Sequence, residues 1–193
     1  SAPTRFLIPA TSIPNIQHII VDHAKRVKLN DPNEVNTPHG HKGNQKQYNT
    51  IQEFIKSGID EGYEIVTGGL GNPDNCNNGY FIRPTVFINV DNSATIAQEE
   101  IFGPVLSIIS YSSIDNAIDI ANNSKYGLSN YITCLDYDDG YNIAKRIHSG
   151  QSIINKIGRG SVPAPFGGFK LSGNGREHGK YGLEEYLEIK AII

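Results

Sequence analysis

Apolar residues follow two patterns along this chain, and the two patterns alternate. Short apolar runs, typical of buried strands, occupy residues 5–9, 64–67, 80–83, 85–90, 105–110, 129–135 and 152–155. Between them, apolar residues recur every three or four positions over 12–28, 45–62, 113–123 and 137–148, as on one face of a helix. Strands that alternate with helices of this length form βαβ units. The pattern therefore predicts an α/β fold: a mostly parallel twisted sheet with helices on both faces.

Polar and glycine-rich segments separate these elements. Ser12 precedes the first helical pattern and is predicted to be its N-cap. Residues 29–43 form a long polar connection, and residues 158–182 form a glycine-rich loop of a length that usually has a functional reason. Residues 185–193 alternate weakly between apolar and polar side chains, which predicts a final strand.

Composition narrows the class of protein. With 193 residues and 21.2 kDa, the chain is long enough for one globular domain without disulfides or metals. The net charge is −3 and no cationic run is present, which disfavours nucleic acid and anionic membranes as partners. No apolar run approaches the length of a membrane span. Cys76 and Cys134 form no disulfide-like pattern, so we expect a cytoplasmic location.

The segment Gln98-Glu99-Glu100-Ile101-Phe102-Gly103-Pro104-Val105, here called the octet, lies directly before an apolar run. Pro104 fixes its own φ and restricts the preceding residue to extended or turn conformations. We therefore expect Glu100 and Phe102 to sit on a defined bend that enters a buried strand. A solvated polar loop is the alternative interpretation of the two adjacent carboxylates.

The octet resembles the Glu-Glu-Ile-Phe-Gly-Pro-Val signature of the NAD(P)-dependent aldehyde dehydrogenase superfamily. The resemblance implies that Glu100 holds the nicotinamide-side ribose and that Phe102 lies near the nicotinamide end of the cofactor. Gln47-Tyr48 is similar to a family Gln-Phe pair close to the cofactor, so Gln47 is a further candidate. Residues 165–177 resemble the family's C-terminal signature, in which Phe166 would border the substrate tunnel. Their glycines match neither a P-loop nor a Rossmann fingerprint.

The resemblance extends over nearly the whole chain. The pentapeptide that begins at Ser1 looks like the residues that follow the family's nucleophilic cysteine, so the nucleophile is expected immediately before Ser1. No catalytic residue is then expected within the chain, and the cofactor-binding domain would lie upstream. Residues 1–182 would be the catalytic, aldehyde-binding portion, and residues 183–193 a strand that joins subunits into a homodimer or homotetramer. Asp31-Pro32 looks like the family's Gly-Asp-Pro loop.

The resemblance implies oxidation of an aldehyde to a carboxylic acid with NAD or NADP, through a thiohemiacetal on the cysteine. The chain by itself is expected to be inactive. Two alternatives stay open: a free-standing noncatalytic binding or assembly module, and a thiol hydrolase that uses Cys134 with His148. Cys134 is predicted to lie within a strand and Cys76 in an asparagine-rich loop without a base. His39 and His41 lack further ligands at zinc spacing, so no metal is assigned. Arg159 would favour an anionic or polar aldehyde.

Overall fold

The computed structural model describes residues 3–30, 33, 39–74, 76, 79–157 and 161–193. The chain divides into two compact units, the first comprising residues 4–113 and the second residues 114–193 with Pro3. Within the described residues, none of the helices has the length and apolar character needed to cross a lipid bilayer.

The first unit is built on a four-stranded sheet. Its strands are β1 (Arg5–Pro9), β2 (Glu64–Thr67), β3 (Thr85–Ile88) and β4 (Val105–Tyr111), in the spatial order β1-β4-β3-β2. Strands β1 and β3 run parallel to β4, whereas β2 pairs antiparallel with β3. The helices are α1 (Ile13–Arg26), α2 (Gln45–Asp60) and the short α3 (Thr95–Gln98). The predicted α/β class with a mostly parallel sheet is confirmed.

Helices cover both faces of this sheet, because successive side chains of a strand point to opposite sides. Val86 and Ile88 of β3 belong to a buried cluster against which the apolar residues of α1 pack, namely Ile13, Ile16, Ile20 and Ala24. Phe87 lies between them in sequence and faces α2, where a Cβ on Gly58 would lie 2.8 Å from its ring. The same Cβ would lie 3.1 Å from Ile96 of α3.

Two local predictions in the first unit are corrected. Ser12 precedes α1, but its side chain makes no capping hydrogen bond, because a 3-10 turn over Ala10–Ser12 leads directly into the helix. The extended segment predicted over 80–90 forms a strand only at Thr85–Ile88. Pro84 lacks an N–H group and stops the ladder on one side, and Asn89, at φ 54°, turns the chain on the other.

The second unit contains two small sheets. Strands β6 (Ser129–Ile132) and β7 (Gln151–Ile154) are parallel, and β5 (Tyr126–Gly127) pairs antiparallel with β8 (Phe169–Lys170). Its helices are α4 (Ile114–Asn122), α5 (Tyr137–Ala144) and α6 (Gly179–Glu184). Three predictions differ here: β6 ends before Cys134, α5 ends four residues before His148, and the loop over 158–182 includes β8 and most of α6.

The predicted terminal strand does not form within the single chain. Leu183 and Glu184 complete α6, and residues 187–193 lie in no helix or strand. An extended segment becomes a strand only when a second strand satisfies its N–H and C=O groups. Ile189, Ile192 and Ile193 are almost fully exposed. A role of residues 183–193 in joining subunits stays a prediction.

Candidate functional site

The octet forms the predicted bend directly before β4. Ile101 is buried, with 2% of its surface exposed, whereas Phe102 is 69% exposed and Glu100 is exposed as well. Ile101 therefore anchors the bend in the core, and its two neighbours present a carboxylate and an aromatic ring to solvent. The side chains of Glu100 and Phe102 are therefore both accessible to a ligand, while Ile101 fixes the backbone between them.

Helix α2 brings a third candidate to the same bend. The side-chain amide of Gln47 donates a hydrogen bond of 3.3 Å from Nε2 to the carbonyl oxygen of Phe102. Its Oε1 accepts a bond of 3.2 Å from the N–H of Gly43. The start of α2 is itself capped, since Oδ1 of Asn44 accepts a bond of 2.8 Å from the N–H of Gln47. Gln47 and Phe102 were both predicted from the family resemblance as cofactor-binding residues, and the structure places them in contact.

The backbone of the bend is held on its other side by β3. The N–H of Thr85 donates to the carbonyl of Pro104 at 2.8 Å, and the N–H of Val105 donates to that of Gly103 at 2.8 Å. The bend is therefore hydrogen-bonded to β3 at the point where the chain enters β4. A defined bend was predicted, and the structure supplies its partners.

Phe102 adopts a left-handed backbone conformation, at φ 54°. That region costs a residue with a Cβ about 1–2 kcal/mol. Such outliers persist where the surroundings hold them, and they cluster at active sites and ligand clamps. The exposed ring of Phe102 gains no burial that would explain the conformation. The strain is therefore consistent with a functional orientation of this side chain.

Phe166 lies in the second unit, whereas Gln47, Glu100 and Phe102 belong to the first. Its N–H donates to the carbonyl of Glu177 and its carbonyl accepts from the N–H of Glu177, both at 2.7 Å. The ring of His178 lies edge-on to the half-buried ring of Phe166, with centroids 6.4 Å apart. These two backbone hydrogen bonds join the two ends of the stretch 166–177.

Lys170 and Arg176, the two cations within residues 165–177, bind carbonyl groups of their own chain. Nζ of Lys170 donates to the carbonyls of Asn122 at 2.7 Å and Ser124 at 2.9 Å. Nη1 of Arg176 donates to the carbonyls of Gly168 at 3.1 Å and Gly175 at 2.6 Å. The Arg176 guanidinium also lies 5.3 Å from the centroid of the Phe169 ring. In this conformation both side chains stabilise the fold by hydrogen bonds to backbone carbonyls of the same chain.

The glycines of the segment allow its backbone to fold tightly on itself. A Cβ on Gly168 would lie 2.4 Å from the backbone of Ser172, and one on Gly150 would lie 1.5 Å from the carbonyl oxygen of Gly167. The hydroxyl of Ser172 accepts a bond of 3.0 Å from the N–H of Gly127. Gly150 and Gly168 therefore allow close packing of the backbone in the second unit.

Sequence reasoning missed the part that two residues of the α2 region, Asn44 and Ile51, play in supporting the bend. Asn44 was recognisable, because asparagine directly before a helical pattern is a common N-cap. Ile51 was assigned to the apolar face of α2, but nothing in the sequence indicated that this face meets the octet. In the structure a Cβ on Gly103 would lie 2.7 Å from Cγ2 of Ile51.

Among the described residues, the contacts of Cys76 and Cys134 do not include a base that could activate either thiol. Cys76 is buried and its Sγ lies 3.7 Å from the carbonyl oxygen of Leu29. Sγ of Cys134 lies 3.9 Å from Oδ1 of Asn155, and a Cβ on Gly140 would lie 2.5 Å from the same sulfur. A carbonyl or an amide cannot take a thiol proton, so these contacts do not activate the thiols.

The histidines singled out in the sequence form no metal site within the described residues. His41 stacks edge-on against Phe81, with centroids 5.8 Å apart. In the described ranges, no group of three or more His, Cys, Asp or Glu side chains is arranged to hold a metal ion. Asp31-Pro32 and Arg159 lie outside the described residues.

Comparison with known proteins identifies the family of this chain. The aldehyde dehydrogenase family model matches residues 1–192. A Staphylococcus haemolyticus protein named "Putative aldehyde dehydrogenase" is 47% identical over the whole chain, which spans 40% of that relative. The Pseudomonas syringae aldehyde dehydrogenase C mutant C291A, solved with NAD+ and octanal, is 43% identical with a TM-score of 0.96; the match covers 100% of this chain and 39% of that one.

A Mycobacterium tuberculosis aldehyde dehydrogenase, solved with NAD+, is 40% identical with a TM-score of 0.91. That match covers 95% of this chain and 38% of the other. The chain therefore spans about 40% of the length of the relatives it matches. The family match over residues 1–192, joined to the octet and the Phe166 segment described above, shows that this chain belongs to the aldehyde dehydrogenase family.

Proposed function

We propose that this chain is part of an enzyme that oxidises an aldehyde to a carboxylic acid with NAD+ or NADP+. In this proposal Glu100, Phe102 and Gln47 hold and orient the nicotinamide half of the cofactor, and Phe166 borders the aldehyde. The observation that carries it is the bond from Gln47 to the carbonyl of Phe102 beside the exposed carboxylate of Glu100. When bound, the nicotinamide supplies the hydride acceptor.

The three residues fit the nicotinamide half of a dinucleotide. An ionised carboxylate only accepts hydrogen bonds, which matches the two hydroxyl donors of a ribose. Glu100 is exposed and therefore available to such a partner. The exposed ring of Phe102 offers a flat apolar surface beside it. Nε2 of Gln47 carries two hydrogens, so it retains a donor after bonding to Phe102.

Positioning is the contribution that these residues make to the rate. Hydride transfer needs the donor carbon and the acceptor in contact, and a misplacement of about 1 Å can cost on the order of 100-fold. A bend that is hydrogen-bonded to both α2 and β3 can hold Phe102 with that accuracy. The thiol nucleophile of the proposed reaction is assigned outside this chain, in line with the surroundings of Cys76 and Cys134.

Two further expectations belong to the same proposal. The 193-residue chain alone would not turn over an aldehyde, since neither of its cysteines contacts a base through the bonds described above. In the whole enzyme, residues 183–193 would pair with another subunit to give a homodimer or homotetramer. We place the enzyme in the cytoplasm, where two free cysteines would stay reduced.

The test uses the full enzyme that contains this chain, with aldehyde oxidation followed by the absorbance of the reduced nicotinamide. Glu100→Ala removes charge-assisted hydrogen bonds of about 1.5–3 kcal/mol. We expect hydride transfer to slow by about 10- to 150-fold, and overall dinucleotide binding to weaken less. Glu100→Gln keeps one acceptor oxygen and should fall between the two.

Glu53→Ala is the matched control, because Glu53 is an exposed carboxylate of the same unit on α2. It should leave the rate unchanged. A wild-type enzyme that forms no reduced nicotinamide from any aldehyde would favour the noncatalytic module instead. Equal rates for Glu100→Ala and Glu53→Ala would remove Glu100 from the proposed site.

A further inference from the structure

Helix α2 touches the octet bend at two points that are one helical turn apart. Gln47 bonds to the carbonyl oxygen of Phe102, and Ile51 packs against Gly103, the next residue of the bend. Residues i and i+4 of a helix lie on one face, so both contacts come from a single rigid surface. The peptide unit that joins Phe102 to Gly103 is thereby held at both ends.

The contact with Ile51 leaves no room at Gly103. A Cβ on Gly103 would lie 2.7 Å from Cγ2, 2.9 Å from Cδ1 and 2.9 Å from Cγ1 of Ile51. Ile51 is fully buried, with 0% of its surface exposed, so its side chain cannot swing into solvent. The φ of Gly103 is not in the positive range, so glycine is needed there for this close approach and not for its backbone conformation.

We propose that Ile51 is a positioning residue for the hydride-transfer step, acting through Gly103 on the backbone of Phe102. This inference rests on the proposed function, because it assumes that Phe102 faces the nicotinamide. Ile51 itself touches neither cofactor nor substrate. Its buried side chain sets the distance between α2 and the bend, and the Gln47 bond sets the direction of the Phe102 carbonyl. Together they maintain the left-handed φ of an exposed aromatic residue.

A methyl group at position 103 should therefore disturb the reaction without removing a ligand. Gly103→Ala must move the bend by about 0.7 Å to bring the closest contact into the ordinary range. Since a misplacement of about 1 Å can cost on the order of 100-fold, we expect hydride transfer to slow by about tenfold. The affinity for the dinucleotide should change less than twofold, because most of its contacts would lie elsewhere.

Gly58→Ala is the matched control. Gly58 also lies on α2, and a Cβ there would be 2.8 Å from Phe87, a clash of similar severity. That clash is with Phe87 of β3 and Ile96 of α3, and not with the Phe102–Gly103 peptide unit. Gly58→Ala should lower the melting temperature about as much as Gly103→Ala does, but each folded molecule should transfer hydride at the wild-type rate.

The variant Ile51→Ala allows a second test of the proposal. It removes the methyl groups that a Cβ on residue 103 would meet, so the double variant Gly103→Ala/Ile51→Ala should transfer hydride faster than Gly103→Ala alone. Such recovery is a coupling between two residues in contact. A purely structural role predicts that Gly103→Ala and the double variant differ in melting temperature but transfer hydride at the wild-type rate in each folded molecule.

The measurement is single-turnover hydride transfer in the full enzyme, with a deuterated aldehyde to report the isotope effect and a parallel melting curve. We expect a slower rate with a full isotope effect for Gly103→Ala, a wild-type rate for Gly58→Ala, and recovery in the double variant. If Glu100→Ala slows the wild-type reaction but Gly103→Ala behaves like Gly58→Ala, Ile51 has no positioning role. If wild type transfers no hydride, the proposed function fails first.

Discussion

Substitution of Arg176 tests whether residues 165–177 stabilise the fold or bind the cofactor. The Arg176 guanidinium donates to the carbonyls of Gly168 and Gly175 and lies over the ring of Phe169. Arg176→Ala would remove both bonds and the cation–π contact, and would leave two carbonyls without this donor. Arg176→Lys would keep the charge but lose the planar fork.

The expected loss follows from these contacts. Hydrogen bonds to charged groups contribute about 1.5–3 kcal/mol each, and partial exposure of Arg176 places these at or below the lower end. The contact with Phe169 adds about 0.5–1 kcal/mol. We expect Arg176→Ala to lower the free energy of unfolding by about 2–3 kcal/mol, and Arg176→Lys by about half as much. For a chain of this size, the larger loss lowers the melting temperature by roughly 5–10 °C.

The assay is urea unfolding of the 193-residue chain followed by circular dichroism, with NAD+ affinity measured in the full enzyme. Arg26→Ala, which removes an exposed arginine from α1, is the control and should cost a few tenths of a kcal/mol. If Arg176→Ala is as stable as Arg26→Ala, Arg176 does not stabilise the fold. Arg176→Lys with unchanged unfolding and a large loss of NAD+ affinity would indicate a phosphate ligand instead.

Three other outcomes follow from the same structure. Lys170→Ala loses two bonds to backbone carbonyls and should lower the free energy of unfolding by about 1–2 kcal/mol in urea titrations; no change would mean that water replaces them. Cys134→Ala should leave aldehyde oxidation by the full enzyme intact, whereas loss of that activity would show that Cys134 takes part in the reaction. Deleting residues 186–193 should reduce the assembly size seen by light scattering, and an unchanged size would exclude their role in joining subunits.

Local patterns were sufficient for most regular elements of the first unit. Strand β1 and strand β2 have the predicted bounds, and α2 begins at the predicted residue, because apolar periodicity and nearby turn residues are properties of short segments. The bend at the octet belongs to the same class, since Pro104 acts on its immediate neighbours. In the second unit the ends of β6 and α5 were predicted too far along the chain, because fraying of an element depends on what packs against it.

The sequence by itself therefore determined the α/β class, the order of the longer strands and helices, and the two motifs that indicate the family. Only the tertiary structure decided what the motif residues do for the fold. Lys170 finds its partners 46 and 48 residues earlier in the chain, and Gln47 meets Phe102 55 residues later. No local pattern specifies such contacts, because each depends on how distant segments of one unit pack against each other. The approach of Ile51 to Gly103 arises in the same way, from two segments that are neighbours only once the sheet has formed.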